Sequence, residues 1–212
     1  MDIGQISTLV VLILSIVLHE VSHGYAANWL GDPTARLAGR LSPNPLLHID
    51  PIGSVILPAI LFLSNAPFLF GWAKPVPYNP YNLNNQRWGE AIVAVAGPGA
   101  NFLLAVIFGT IIRFSEVIGI PESAVGLLLY IVYLNVFLGV FNLIPIHPLD
   151  GSKVLEPFLP LRARMQYRAL GERIERLGIL GMVLILALLV MLIGDSFFSF
   201  IEAITMLLTG VS

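Results

Sequence analysis

The sequence predicts an all-α, polytopic membrane protein with about five to six transmembrane helices, as its composition and its uncharged stretches both indicate. Of the 212 residues, 57% are hydrophobic and only 11% are charged, whereas a soluble domain carries roughly 25% charged residues. Several uncharged stretches also reach the length of about 20 apolar residues that a spanning helix needs. Because no linker or internal repeat divides the sequence, we expect residues 1–212 to form a single domain.

The charge and the cysteine count exclude several classes of protein. A formal net charge of −2 is too small to indicate a nucleic-acid partner. The chain has no cysteine, so it forms no disulfide and offers no thiolate to a metal ion. Any metal ion must therefore be bound by nitrogen and oxygen ligands.

Uncharged segments predict the spanning helices in chain order. The first helix is expected from about Gln5 to Leu30, where a Gly-Asp-Pro sequence is a strong stop signal. An arginine-rich segment between the third and fourth spans is interpreted as a solvated or interfacial helix. The later spans are expected at Ala91 to Ile112, Ser123 to Ile146, Leu177 to Gly194 and Ser196 to Val211, and the arginine-rich segment is Arg162 to Arg176.

Three ionisable residues, His19, Glu20 and His23, lie close together inside the first apolar segment. An ionisable residue at the middle of a membrane helix costs on the order of 3 kcal/mol, so chemistry explains three of them better than packing does. Positions i and i+4 of a helix share a face, so the two imidazoles can bind one metal ion. Glu20 lies beside the first histidine, where it can act on a metal-bound water. The alternative is a buried polar network.

The best candidate for a third metal ligand is Asp150, because a catalytic zinc ion usually has three protein ligands. It follows an apolar helix, in the sequence Asn-Leu-Ile-Pro-Ile-His-Pro-Leu-Asp-Gly at 142–151. The prolines of that sequence end the helix, and Gly151 permits a tight turn. A carboxylate in such a loop can reach a cation bound by the first helix. The alternative is an ordinary loop, since Pro-Leu-Asp-Gly is also a common turn signal.

Residues 51–73 are long and apolar enough to span, but three prolines and two glycines interrupt them. If the two histidines and Asp150 share one metal ion, an even number of crossings must separate them, and the second and third helices supply two. We therefore expect residues 51–73 to be re-entrant or interfacial. The preceding stretch, Leu37 to Asn44, is the candidate for a short β-hairpin edge that takes a peptide as an added strand.

Taken together, these motifs give the chain a resemblance to the site-2 protease family of intramembrane zinc metalloproteases. Three elements carry it: His-Glu-x-x-His at 19–23, Ala-Gly-Pro-Gly-Ala-Asn at 96–101, and Asn-x-x-Pro-x-x-x-x-Asp-Gly at 142–151. The resemblance covers about residues 10–155, and no PDZ or CBS domain is recognisable. The chain therefore looks like a small bacterial-type member.

The resemblance implies that His19, His23 and Asp150 bind one Zn²⁺ per chain and that Glu20 is the general base. The chemistry follows from the ion, which lowers the pKa of its bound water to about 7 and polarises the scissile carbonyl. Two histidines and one aspartate would also accept iron or cobalt.

Asn101 and Asn142 match polar positions near the family's active centre. Asn142 is the first candidate for an amide that stabilises the oxyanion, and Asn101 is the second. The alternative for either is a hydrogen bond between helices. Many members have proline where this chain has His147. Three interpretations of His147 are open: it is merely tolerated, it gates water, or it competes for the metal ion. His48 is expected to be a loop or interfacial histidine rather than a ligand.

These observations predict an intramembrane zinc metalloprotease with a three-helix catalytic core at about residues 5–155 and C-terminal helices at about residues 162–211. The expected partners are a transmembrane protein or peptide substrate and the lipid bilayer; a homo-oligomer is compatible with the sequence. Arginines after the first and third helices favour a multi-pass protein of the cell membrane with its active site toward the cytoplasm. The alternative is a non-proteolytic divalent-metal-binding membrane protein, a transporter or sensor, which would not require Glu20 as a base.

Overall fold

The computed structural model describes residues 3–56, 60 and 73–211, and this part of the chain is helical without a β-strand. The α-helices are α1 (Ile3–Trp29), α2 (Thr34–Leu37), α3 (Gly89–Arg113), α4 (Ser115–Ile118), α5 (Glu122–Asn142), α6 (Asp150–Leu155), α7 (Leu161–Arg176) and α8 (Ile179–Thr209). Short 3₁₀ segments lie at Pro45–His48, Pro80–Asn82 and Glu156–Phe158, and Pro51–Ile56 is a π-helix. The prediction of an all-α protein is confirmed.

Four helices are long and apolar enough to cross a membrane. They are Ser7–Trp29 within α1, Gly89–Arg113, Glu122–Asn142, and Met191–Thr209 within α8. The part of the chain that the structure describes therefore has four candidate spans, where the sequence predicts five to six in the whole chain. Most of segment 51–73, expected to be re-entrant or interfacial, lies outside the described residues.

The C-terminal region differs from the two spans that the sequence predicts at Leu177 to Gly194 and Ser196 to Val211. Here α8 is one helix of 31 residues. A glycine inside a helix costs only about 1 kcal/mol relative to alanine, so Gly194 weakens the helix without ending it. The segment also contains no proline. At about 1.5 Å per residue, α8 is about 46 Å long, which exceeds the hydrocarbon thickness of about 30 Å.

The β-hairpin expected at Leu37 to Asn44 is not confirmed, because this stretch forms no strand. Its polar groups bond locally instead. The Asn44 side chain accepts a hydrogen bond from Leu46 N at 3.1 Å, and the His48 ring bonds the Ser42 carbonyl at 2.9 Å. Such local bonds compete with a strand ladder for the same backbone groups.

Helix α3 lies at the centre of the bundle and contacts α1, α5, α6 and α8. Small residues allow this close packing: a Cβ on Gly109 would lie only 3.0 Å from the Cβ of Leu208 on α8. Because α1 also contacts α5, the helices α1, α3 and α5 form a three-helix core. A buried apolar cluster joins α3 and α5 to α8, and its members are Ala105, Ile112, Val132, Val136 and Ile201.

A fully buried carboxylate, Asp32, connects the loop after α1 to the segment before α3. Its oxygens accept hydrogen bonds from the Thr34 and Asn82 side chains and from the Thr34 and Asn79 amides, at 2.6 to 3.2 Å. Burial alone would raise the pKa of this carboxyl, but the hydrogen bonds lower it. The charged carboxylate therefore fixes Asn79 relative to the end of α1.

We expect Asp32→Ala to lower the thermal unfolding midpoint of the detergent-purified protein. The four donors lose their acceptor, and a hydrogen bond to a charged group contributes about 1.5–3 kcal/mol. Glu116→Ala, which changes an exposed residue of α4, is the control and should leave the midpoint unchanged. Equal midpoints for both variants would contradict the role given to Asp32.

Candidate metal centre

Three side chains from distant parts of the chain meet at one point: His19 and His23 on α1, and Asp150 at the start of α6. His19 Nε2 lies 3.0 Å from His23 Nε2 and 3.1 Å from Asp150 Oδ2. His23 Nε2 lies 3.3 Å from the same oxygen. Tetrahedral zinc with bonds of about 2.0–2.1 Å would separate its ligand atoms by about 3.3 Å. The three donor atoms therefore match one face of a zinc tetrahedron.

Hydrogen bonds on the far side of each imidazole determine which nitrogen faces the site. His19 Nδ1 donates to Asn101 Oδ1 at 2.6 Å, and His23 Nδ1 donates to the Val93 carbonyl at 2.7 Å. A carbonyl oxygen only accepts, so each Nδ1 carries the proton and each Nε2 has a free lone pair. Two lone pairs and a carboxylate then face one another, which is repulsive unless a cation lies between them. The residues present thus fit a divalent metal ion.

The Asn101 side chain connects His19 to a polar chain across three helices. Asn101 is fully buried on α3, and its Nδ2 donates to Asn135 Oδ1 on α5 at 2.9 Å. Asn135 Nδ2 in turn donates to Ser15 Oγ on α1 at 3.0 Å. In an apolar bundle every polar group needs such a partner. Asn101 therefore makes the interhelical bonds that are the alternative to an oxyanion role, and it orients His19.

Helix α3 passes the ligands at Gly97, where the absence of a side chain is required. A Cβ at this position would lie 2.6 Å from His19 Nε2 and closer still to His23 Nε2. Both distances are far below van der Waals contact, so a side chain at position 97 would displace the two imidazoles. The glycine therefore lets α3 approach both histidines closely.

A cavity of about 200 Å³ opens beside the three ligands. Its walls include Glu20, Val76, Tyr78, Asn142 and Lys153. A space of this size holds several water molecules. Glu20 is thus beside the ligand group without belonging to it.

The cavity has charges of both signs in its walls. Asp150 contributes a carboxylate, whose Oδ2 lies 3.1 Å from His19 Nε2 and 3.3 Å from His23 Nε2. Burial alone would lower the pKa of the Lys153 ammonium, but Tyr78 and Asp150 raise it. The Lys153 Nζ lies 5.3 Å from the centre of the Tyr78 ring. The cavity wall therefore carries a carboxylate at Asp150 and an ammonium at Lys153.

Ion pairs hold the region around Asp150 in place. The Arg168 guanidinium on α7 donates to the buried Glu156 carboxylate at 2.6 Å and to the Glu90 carboxylate on α3 at 3.1 Å. Glu156 follows α6 directly along the chain. Helix α7 thus ties the ligand-bearing α6 to the central helix.

The other two histidines lie outside the ligand group. His147 packs its ring against the Tyr167 ring on α7, with centres 4.8 Å apart. His48 is buried and bonds the Ser42 carbonyl. Within the described residues, the group of side chains that could hold a metal ion consists of His19, His23 and Asp150.

The sequence alone assigns no role to several residues that the structure brings to the site. Ser15 has a weak signal, since it precedes His19 by four residues and so shares its helix face. Asn135 is a lone polar residue in an uncharged segment. Val76 and Lys153 carry no sequence signal, because only the folding of the loops brings them to the cavity.

Most of the chain matches a known protein family. The sequence model described as "Peptidase family M50" matches residues 7–126 and 115–189. The chain belongs to peptidase family M50. The resemblance to site-2 proteases is thereby confirmed, and membership of the M50 family supports the prediction of a zinc metalloprotease.

Relatives of this M50 chain have names that agree with the family. "Putative zinc metalloprotease YwhC" of Bacillus subtilis is 36% identical over 164 residues, which cover 74% of this chain and 71% of that protein. "Putative zinc metalloprotease Rip2" of Mycolicibacterium smegmatis is 32% identical, over 69% of this chain and 55% of that protein. "Zinc metalloprotease MJ0392" of Methanocaldococcus jannaschii is 26% identical, over 71% of this chain and 33% of that protein. No solved structure matches the chain significantly.

We expect Gly97→Ala to abolish stoichiometric zinc binding, because the added Cβ fills the space beside both Nε2 atoms. Gly99→Ala is the matched control, since a Cβ there meets no atom within 4 Å. The measurement is the zinc content of both purified variants. Full zinc occupancy in Gly97→Ala would contradict the location of the metal ion.

We expect Asn101→Ala to weaken zinc binding by about 10- to 100-fold, since a ligand histidine loses its orienting partner. Asn142→Ala should retain the affinity of the wild type, because Asn142 contacts none of the three ligands by hydrogen bond among the described residues. Competition with a zinc chelator measures both affinities. An equal loss in both variants would contradict this division of roles.

Proposed function

We propose that this chain is an intramembrane zinc metalloprotease that hydrolyses peptide bonds of membrane-embedded or membrane-proximal substrates. One observation carries the proposal: three side chains that could hold a metal ion and a carboxylate outside that group line the same open cavity. Hydrolysis needs both features, whereas a transporter needs ligands along a path through the bundle. Membership of peptidase family M50 and the four apolar helices support the reaction class and the membrane environment.

His19, His23 and Asp150 would hold one zinc ion per chain. When bound, zinc supplies Lewis acidity that polarises the scissile carbonyl and acidifies a water molecule. Glu20 takes a proton from the water as it attacks the carbonyl carbon, and returns it to the leaving amine. The peptide bond is thereby replaced by a carboxyl and an amino terminus, and Glu20 is again a carboxylate.

We assign the stabilisation of the oxyanion to Asn142. Asn142 lines the cavity, and its Nδ2 donates to the Leu138 carbonyl at 2.9 Å. An amide nitrogen has two N–H groups, so one is left for the substrate. The Asn101 side chain is engaged by His19 and Asn135. We therefore give Asn142 the catalytic role and Asn101 the positioning role.

The substrate backbone is proposed to lie extended along residues 75–78. A membrane substrate must unwind before cleavage, and each unpaired backbone group in lipid costs several kcal/mol. The Val76 carbonyl and the Tyr78 amide have no hydrogen-bond partner among the described residues, and both residues line the cavity. They offer one acceptor and one donor to an added strand. This segment replaces Leu37 to Asn44 as the substrate edge.

The cavity is proposed to face the cytoplasmic side of the cell membrane. Arg36 and Arg40 follow α1, and five arginines lie on α7, which follows α5. By the positive-inside rule, both connections are cytoplasmic. The histidines lie in the second half of α1 and Asp150 follows α5, so the metal ligands are at the same ends of these helices.

The test is cleavage of a panel of single-span reporter proteins in liposomes by the wild type and by Glu20→Gln, with zinc quantified in both. We expect the wild type to cleave and to hold one zinc ion per chain. Glu20→Gln should keep its zinc and lose about 10²- to 10⁴-fold in rate, which is the contribution of a general base. Chelation should stop cleavage by the wild type, and added zinc should restore it.

One outcome favours the transporter alternative. If both proteins bind zinc, neither cleaves any reporter, and zinc crosses the liposome membrane, the protease proposal is wrong. Cleavage by Glu20→Gln at the wild-type rate would instead contradict the role of Glu20 as the base.

A further inference from the structure

The proposed base, Glu20, is held by a backbone amide from a remote part of the chain. Val76 N donates a hydrogen bond to Glu20 Oε2 at 3.0 Å. The Val76 residue is buried, with 5% of its surface exposed. Among the described residues, this is the hydrogen bond that the Glu20 carboxylate accepts. The Val76 N–H has no role in the proton transfer proposed for Glu20.

The sequence around Val76 presents a single N–H group at a fixed place. Pro75 and Pro77 have no N–H, so Val76 is the sole backbone donor between Lys74 and Tyr78. A residue before proline is restricted to extended conformations, and this applies to both Lys74 and Val76. Lys-Pro-Val-Pro is therefore a stiff, extended segment with one donor in its middle.

Hydrogen bonds at both ends fix this segment relative to the rest of the fold. Lys74 N donates to the His48 carbonyl at 2.8 Å, and the Arg40 guanidinium donates to the Lys74 carbonyl at 2.9 Å. At the other end, Asn79 N donates to the Asp32 carboxylate at 2.7 Å. The segment is therefore anchored to buried residues at both ends, Arg40 and His48 on one side and Asp32 on the other.

The middle of the segment is fixed against α1 by packing. A Cβ on Gly24 would lie 2.7 Å from Val76 Cγ1. Gly24 follows Glu20 by four residues and so lies on the same face of α1. The missing side chain at Gly24 lets the segment approach closely enough for the Val76 amide to reach Glu20.

We propose that the Val76 amide is a positioning group for the base. It holds Oε2, so that Oε1 is free to take the proton and the carboxylate does not turn toward the metal ligands. This inference rests on the proposed function, in which Glu20 is the base. Because residues 75–78 are also proposed to bind the substrate, one rigid segment aligns the base with the scissile bond.

A pair of substitutions separates the N–H group from the side chain. Val76→Pro removes the N–H, keeps an extended backbone and puts its ring Cδ where the amide proton lay, so the Glu20 carboxylate loses its donor and is displaced. It should lower kcat by about 10- to 100-fold, the effect of one hydrogen bond to a charged group, with KM and zinc content unchanged. Val76→Ala keeps the N–H but loses the packing of the side chain beside Gly24, so its kcat should fall less than that of Val76→Pro. Equal kcat values for the two variants would overturn the proposal.

A spectroscopic measurement tests the contact without using activity. Pro75-Val76 is the single Pro-Val pair in the sequence, so ¹³C-carbonyl proline with ¹⁵N-valine isolates the Val76 amide resonance in NMR spectra. Glu20→Ala should move this amide proton upfield and speed its exchange with solvent, whereas Glu116→Ala should leave it unchanged. A resonance that is insensitive to Glu20→Ala would overturn the proposal.

The two proposals fail in different ways. If Glu20→Gln is inactive while Val76→Pro keeps the wild-type kcat, the positioning role is wrong and the protease function stands. If the wild type cleaves no reporter but the Val76 resonance responds to Glu20→Ala, the contact stands and the protease function is overturned.

Discussion

Three electron-pair donors converge inside a bundle that is otherwise largely apolar. Both Nδ1 protons of His19 and His23 are engaged by oxygen acceptors, so the two Nε2 lone pairs lie 3.0 Å apart and face the Asp150 carboxylate at 3.1 and 3.3 Å. A cation between them turns this repulsion into attraction, whereas an uncompensated buried carboxylate costs several kcal/mol. The need for a cation between these three groups explains how the central helices pack around them.

Helix α3 meets the requirement in two ways. At Gly97 it has no side chain that would clash with the two imidazoles. At Asn101, one turn later, it supplies the oxygen that accepts the hydrogen bond from His19. The Asn101 amide nitrogen donates to Asn135, and the Asn135 amide nitrogen donates to Ser15. These polar side chains therefore find their hydrogen-bond partners inside the core. Function and helix packing therefore use the same contacts.

The sequence predicts the local parts of this arrangement and misses the parts that depend on loops or on weak helix signals. His19 and His23 are predictable because i and i+4 share a helix face, and the motif at 142–151 indicates Asp150. Val76 reaches Glu20 across 56 positions of chain, and nothing local encodes such a contact. The predicted break at Gly194 is wrong, because about 1 kcal/mol for a glycine does not end a long apolar helix.

The coordination of zinc in the purified wild type and in Asp150→Ala, measured by X-ray absorption at the zinc edge, tests the three proposed ligands most directly. In the wild type we expect two imidazole nitrogens with oxygen ligands at about 2.0–2.2 Å. Asp150→Ala should lose zinc or show an altered ligand shell. A spectrum with three or more imidazoles, or one unchanged in Asp150→Ala, would contradict the assignment of the three ligands.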